Sequence, residues 1–574
     1  MIPVFSKVLV VLGPATLLFG ALPLPLTQGG GTSIKNTKHN LSVSGPGTYK
    51  ALSEERICIF CHAPHRARTQ FPLWNRDDST QTYLPYTSST LKGNVGQPNG
   101  STKLCLSCHD GTIALGKVVS LTSEITMSGS RFLNSGKANI GTNLQDDHPV
   151  SFDYSTSKGG TGVDFFIGSA IKPPVSLDHN GFVQCTSCHD AHNDSLGKFL
   201  KTTDKNGSLC LSCHNPRDWN TASHANSSAT WNQTGPDPWP NTTYTTVQEN
   251  ACANCHVPHS AGQPHRLLNF STEEENCLRC HNGNVASKDI TTDLAKVSAH
   301  NPSSWQGIHD PTEDPLTMSR HAECQDCHNP HTAKAGTAAP PGVPGPLFGV
   351  SGLDNAGQKV ERITYGYQLC YKCHADKNGG TAYVSRIIQQ TNVRLEFNPA
   401  NPSYHPIEAA GKNSYVPSLL PPWTTSSKMA CTDCHQSDSS PDFGGNGPRG
   451  PHGSNYRPLL ALNYNTQDNI TESATQYALC YKCHSRTSIL GDQSFRKHRK
   501  HIQGEKAPCA TCHDAHGISA NQGNSTNNAH LINFRSSIVT PSRMNGKLEF
   551  VDMGMGRGSC SLLCHGKDHH RKGY

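Results

Sequence analysis

The sequence predicts a mostly irregular, coil-rich chain with short α-helices, few strands and a repeat-like organisation. Three observations carry this expectation. Only 34% of the 574 residues are hydrophobic, well under the roughly 45–50% of ordinary globular chains. Glycine and proline supply 51 and 38 residues, which weakens helices and strands alike. The 24 cysteines recur as closely spaced pairs along the chain. So few apolar side chains cannot offset the conformational entropy of ordering the chain. Something other than side chains must supply the core.

The cysteine pairs say what does. Eleven read Cys-x-x-Cys-His: Cys58, Cys61 and His62; Cys105, Cys108 and His109; Cys185, Cys188 and His189; Cys210, Cys213 and His214; Cys252, Cys255 and His256; Cys277, Cys280 and His281; Cys324, Cys327 and His328; Cys370, Cys373 and His374; Cys431, Cys434 and His435; Cys480, Cys483 and His484; Cys509, Cys512 and His513. The twelfth, Cys560, Cys564 and His565, has three intervening residues instead of two. Disulfides, zinc and iron–sulfur clusters also use paired cysteines, but none requires histidine after the second cysteine every time. With 32 histidines in 574 residues, twelve chance matches have a probability of about 10⁻¹⁵, and the expected meaning of the motif is haem attachment. The two thiols add across the porphyrin vinyl groups, and the adjacent imidazole becomes the proximal iron ligand. The cofactor expected is therefore haem c, twelve per chain. The longer twelfth loop is expected to bulge by one residue and still bind.

Taken in order, the chain opens with Lys7 and an apolar run from Val8 to Ala21, which resembles a signal peptide covering 1–26. Export follows, with a periplasmic, outer-membrane-associated or extracellular destination. Residues 27–160 then form a module for haems 1 and 2, and 161–320 a set of repeats for haems 3 to 6. Residues 321–400 carry haems 7 and 8, and 401–574 carry haems 9 to 12. A spacing of 25 residues separates Cys185 from Cys210 and again Cys252 from Cys277, and "LCLSCH" and "LCYKCH" each occur twice. Such self-similarity marks a repeat architecture, here with two haems as the unit. Short helices are expected at each motif, with linkers at Ala225–Thr246 and Ala333–Lys359. At about 48 residues per haem, against ~100–150 for a normal domain, the haems must nearly touch and form the core.

Each iron needs a second ligand. His65, His192, His259, His331 and His516 lie three residues after a proximal histidine. Residues at i and i+3 share a helical face, so each is expected to ligate a neighbouring haem rather than its own. Further distal candidates are His39, His148, His224, His300, His321, His405, His452, His498, His501, His530 and His569. His179, His265 and His309 read as surface or propionate-binding residues. Only seven methionines are present, so bis-histidine ligation and low potentials are expected.

These residues resemble the doubled-CxxCH multihaem c-type cytochromes, dodecahaem versions of which occur in metal-respiring bacteria. The likeness is clearest in "CTSCHDAH…SLCLSCH" and "CANCHVPH…NCLRCH", and extends to "CIFCHAPH…PLWN…KLCLSCHDGT" and to the later "YHP", "GPHGS" and "CHGKDHH" segments. It implies a repeat-like cytochrome built around a continuous chain of bis-histidine haems. It also implies periplasmic or extracellular electron transfer, in some members as polymeric filaments. The chain departs from the pattern at Asp438, where the histidine after His435 would stand, and at the long twelfth motif.

The expected role is an electron conduit with no catalytic residues, such as one serving metal reduction. The expected partners are redox cytochromes or a quinol-linked donor, an extracellular acceptor, and in a filament a second copy of the chain (a homopolymer). The alternative is a multihaem reductase of nitrite, hydroxylamine or a sulfur oxyanion, which needs one open iron. The formal charge of +6 would fall to about −6 once twelve ferric haems each add two propionates, so no nucleic-acid partner is expected.

Overall fold

The computed structural model describes residues 33–67, 73–157, 170–240, 242–304, 309–311, 313–376 and 382–574. The leader expected at 1–26 lies outside the described residues.

The chain is mostly turns and irregular segments, with short helices and small sheets. Eleven of the twelve motifs begin in or beside a helical turn. The local cause is a backbone bond from the histidine to the first cysteine, as in His62 N–H to Cys58 O at 2.8 Å, His189 to Cys185 at 3.0 Å and His513 to Cys509 at 2.9 Å. This i to i+4 bond closes one helical turn and puts both thiols and the imidazole on one face. The longest helices are α1 (Gly100–His109) and α2 (Tyr367–His374), each ending on a motif. The helix Glu273–Leu278, which carries Cys277, is started by Thr272. Its side chain accepts from the Glu275 N–H, and three glutamates follow at the positive end.

Most strands are two residues long. The exception is C-terminal, where β1 (Val539–Thr540), β2 (Glu549–Asp552), β3 (Gly558–Cys564) and β4 (Lys567–Gly573) form one antiparallel sheet. β4 pairs with β3 along its length, with Leu562 opposite His569 and an irregularity between Cys560 and Leu562. The twelfth motif therefore lies on a strand, not on the short helix expected.

Buried apolar side chains gather in small separate clusters, several of them against motif cysteines. Leu353, Tyr367, Tyr371, Ala375, Phe397 and Ile407 pack with Cys431, and Ala51, Ile59, Phe60, Val118 and Ile125 with Cys61. Ile532, Phe534, Val539, Phe550 and Leu562 pack with Cys512, Cys560 and Cys564. Polar clamps tie neighbouring motifs together. Asn75 donates to Ile59 O at 2.6 Å in the first motif. The fully buried Arg76 donates to Ser107 O (3.0 Å) in the second and to Leu115 O (2.8 Å) beyond it. Lys372 of the eighth motif reaches Asp326 of the seventh at 2.9 Å. The expected linker at Ala225–Thr246 packs back on the fifth motif: Trp239 is buried and its indole N–H donates to Asn254 at 2.8 Å. Among the described residues, no helix is long and apolar enough to cross a membrane.

Candidate functional site

The site is a series of facing imidazoles. The proximal histidines His62, His109, His189, His214, His256 and His281 face His192, His39, His259, His148, His331 and His224 respectively. His328, His374, His435 and His513 face His452, His300, His516 and His498. A further pair joins His501 to His569. Every centroid separation is between 6.1 and 6.3 Å, while the interplanar angles run from 16° to 88°. Ring stacking would constrain the angle as well as the distance. A constant distance with a free angle fits two imidazoles that share one metal. Two metal–nitrogen bonds of about 2.0 Å, plus about 1.1 Å from each nitrogen to its ring centre, place the centroids roughly 6.2 Å apart. The residues present fit haem c. For His484, the histidine that weighs most electrostatically is His405, which gives the tenth motif its counterpart.

Hydrogen bonds at Nδ1 leave Nε2 to face the partner. His109, His189 and His256 are held by Ala138 O (2.7 Å), Lys198 O (2.8 Å) and Arg266 O (2.8 Å). His259 and His516 instead use the carboxylates of Asp147 (2.9 Å) and Glu396 (2.8 Å). Burial, and then the facing His148, pushes His214 down to about 3, and burial with His224 takes His281 to about 4. Both are thus neutral at ordinary pH, the form that binds metal.

A brace recurs. His39 Nδ1 reaches Ala191 O, just before His192; His224 Nδ1 reaches Pro330 O, before His331; and His405 Nδ1 reaches Ala515 O, before His516. His148 uses its backbone N–H on Pro258 O, before His259, and His300 Nδ1 reaches Pro451 O, before His452. Each brace links the distal candidates of an odd motif and the even motif after it, so five two-motif units repeat. His452 takes the place that Asp438 and its neighbours leave without a histidine. Asp438 instead pairs with Lys296 at 2.7 Å.

The thiols run on between units. Cys105 lies beside Cys185, and likewise Cys210 beside Cys252, Cys277 beside Cys324, Cys370 beside Cys431, and Cys480 beside Cys509. Cys61 and Cys108, Cys188 and Cys213, Cys255 and Cys280, Cys327 and Cys373, and Cys434 and Cys483 are close electrostatic neighbours. So is Cys512 with Cys560 and Cys564. Every motif is thereby next to the following one in chain order.

The remaining candidates are placed as follows. Of the five histidines three residues past a proximal one, four face another motif's imidazole, but His65 is exposed and faces none among the described contacts. His530 is taken up locally, with Nδ1 2.8 Å from the Asn413 amide, Nε2 3.3 Å from Asp552, and its carbonyl on His513. His321 and His309 are buried among carboxylates, so His309 is not a surface residue. The structure also departs from expectation at His565. On the extended β3, Cys560, Leu562 and Cys564 share a face and the next residue turns away. His565 opens the hairpin turn at φ 48°, and its Nε2 lies 2.9–3.0 Å from Asp468. His569, opposite Leu562, stands on the thiol face. A helical turn brings residue i+4, the histidine of the other motifs, back to the side of i; on a strand residue i+5 points to the opposite face, and the motif's extra residue was the signal for this.

Facing imidazoles beside paired thiols are the features of a multihaem c-type cytochrome with covalently bound haem c. Residues 179–218, 245–286 and 422–488 match the family described as Doubled CXXCH motif. Each stretch contains the two Cys-x-x-Cys-His motifs of one braced unit. No curated protein matches the chain.

Proposed function

We propose that this chain is an exported dodecahaem cytochrome that acts as an electron conduit in periplasmic or extracellular respiration. The observation that carries this reading is the unbroken sequence of neighbouring thiols from Cys58 to Cys564. When bound, haem c supplies a one-electron iron couple at each motif. The chain's own residues would hold these groups at fixed spacing, orient the imidazoles through Nδ1, and offer two imidazoles to each. Paired imidazoles leave no side open to a substrate, which favours transfer over reduction of nitrite, hydroxylamine or a sulfur oxyanion. At the twelfth motif this reading assigns His501 and His569 as ligands, with Asp468 holding His565 aside. A cytochrome or quinol-linked donor would feed one end, and an extracellular acceptor or a second copy of the chain would drain the other.

The mass of the exported, denatured protein tests the reading. It should equal that of the processed chain plus twelve haems, and a reductive titration should place most of them below zero. Fewer haems would break the sequence of neighbours, and potentials mostly well above zero would contradict paired imidazoles.

A further inference from the structure

A buried cluster beside the seventh motif belongs to none of the imidazole pairs. His309, Glu323 and Asp326 are buried, and one potential ligand atom from each lies within 4.8 Å of the others. His309 Nδ1 is 3.3 Å from Glu323 Oε2 and 3.7 Å from Asp326 Oδ1. His321 Nε2 is 3.3 Å from Glu313 Oε2 and 3.6 Å from Asp326 Oδ2. The side chains of His309, Glu323 and His321 are 7%, 1% and 1% exposed.

Local hydrogen bonds do not account for the arrangement. Asp326 is engaged, accepting from Lys372 Nζ and from the Glu323 N–H at 2.9 Å each. His309 Nδ1, Glu323 Oε2 and Glu313 Oε2, in contrast, are buried with no hydrogen-bond partner among the described residues. His321 Nδ1 lies 2.7 Å from Ser319 O, so its proton sits there and the Nε2 lone pair points into the cluster. Carboxylates buried this deeply need a compensating charge, and Lys372 serves only Asp326. The edge of a tetrahedron with metal–ligand bonds of about 2.1 Å is about 3.4 Å, close to the 3.3 Å between His309 and Glu323 and the 3.7 Å between His309 and Asp326.

We propose that His309, Glu323 and Asp326 bind one divalent first-row cation of the zinc, manganese or ferrous class, with the His321–Glu313 pair beside Asp326. The imidazole argues against calcium or magnesium, and the absence of a thiol argues against copper(I). The ion ties His309 to the loop of the seventh motif and sets a positive charge beside Cys324 and Cys327.

The test uses the haem-loaded protein. As purified, it should hold close to one zinc, manganese or non-haem iron per chain, with iron counted against haem iron. After chelation it should take up one zinc by calorimetry. His309→Ala and Glu323→Gln should each weaken zinc binding at least tenfold with the haem absorbance unchanged. Asp326→Asn, which keeps the side-chain shape and removes the charge, should also weaken it. A protein that holds no such metal and takes up no zinc after chelation would overturn the proposal. So would variants that titrate like the parent.

Discussion

Glu396 and Asp147 differ in kind from the other Nδ1 partners named above, because they are carboxylates. A carboxylate on Nδ1 gives the imidazole more anionic character than a carbonyl does, and so stabilises the oxidised metal on the far nitrogen. On the proposed ligation, an iron held by His516 and His435, and one held by His259 and His189, are thus expected to have the lowest potentials in the chain. Glu396→Gln keeps the hydrogen-bonding shape at His516 (2.8 Å) and removes the charge. One reductive wave should then move positive while the others stay, as read by spectroelectrochemistry. A uniform shift of all waves, or none, would deny Glu396 this role.

At the scale of elements, the last hairpin follows a different rule from the other motifs. One helical turn presents Cys, Cys and His together, whereas β3 presents Cys560 and Cys564 with the cross-strand His569. Two substitutions separate these arrangements. His569→Ala should open one iron, giving a high-spin ferric signal and one site for exogenous imidazole. His565→Ala should leave every iron low-spin. The opposite result would return His565 to its position under the iron.

A second element depends on acid. Asp376, just beyond α2, accepts from Arg394 Nε at 2.8 Å and from Asn392 at 3.0 Å. The Arg394 hydrogen bond holds its carboxyl below the usual value of 3.8. Because the folded state prefers the ionised form, the stabilisation is full above 3.8. It fades as pH falls through the depressed folded value. Asp376→Asn should cost about 1 kcal/mol at neutral pH, and denaturation midpoints of parent and variant should converge in acid. A gap that persists at the lowest pH would assign the loss to packing instead.

For the whole molecule, the coil-rich fold class was legible from composition and the short local spacing of the cysteine pairs. That His192, His259, His331 and His516 face another motif's histidine was legible too, since one turn decides which way they point. The pairing of His452 with His328 or of His39 with His109 was not, because it depends on contacts more than 60 residues apart and on braces made by carbonyls such as Pro451 O and Ala191 O. His65 and His530 carried the same outward signal as the histidines that face a motif imidazole, and only their surroundings separate them. The strand at Cys560–Cys564 was missed because an odd loop length was read as a bulge in a helical turn. It is instead the even register that keeps two thiols on one face of a strand.

If paired imidazoles close every iron along one continuous chain, the low-temperature EPR spectrum of the oxidised protein holds low-spin signals alone, and nitrite leaves them unchanged. A high-spin signal in the unmodified protein that nitrite perturbs would contradict it, and would make this chain a reductase.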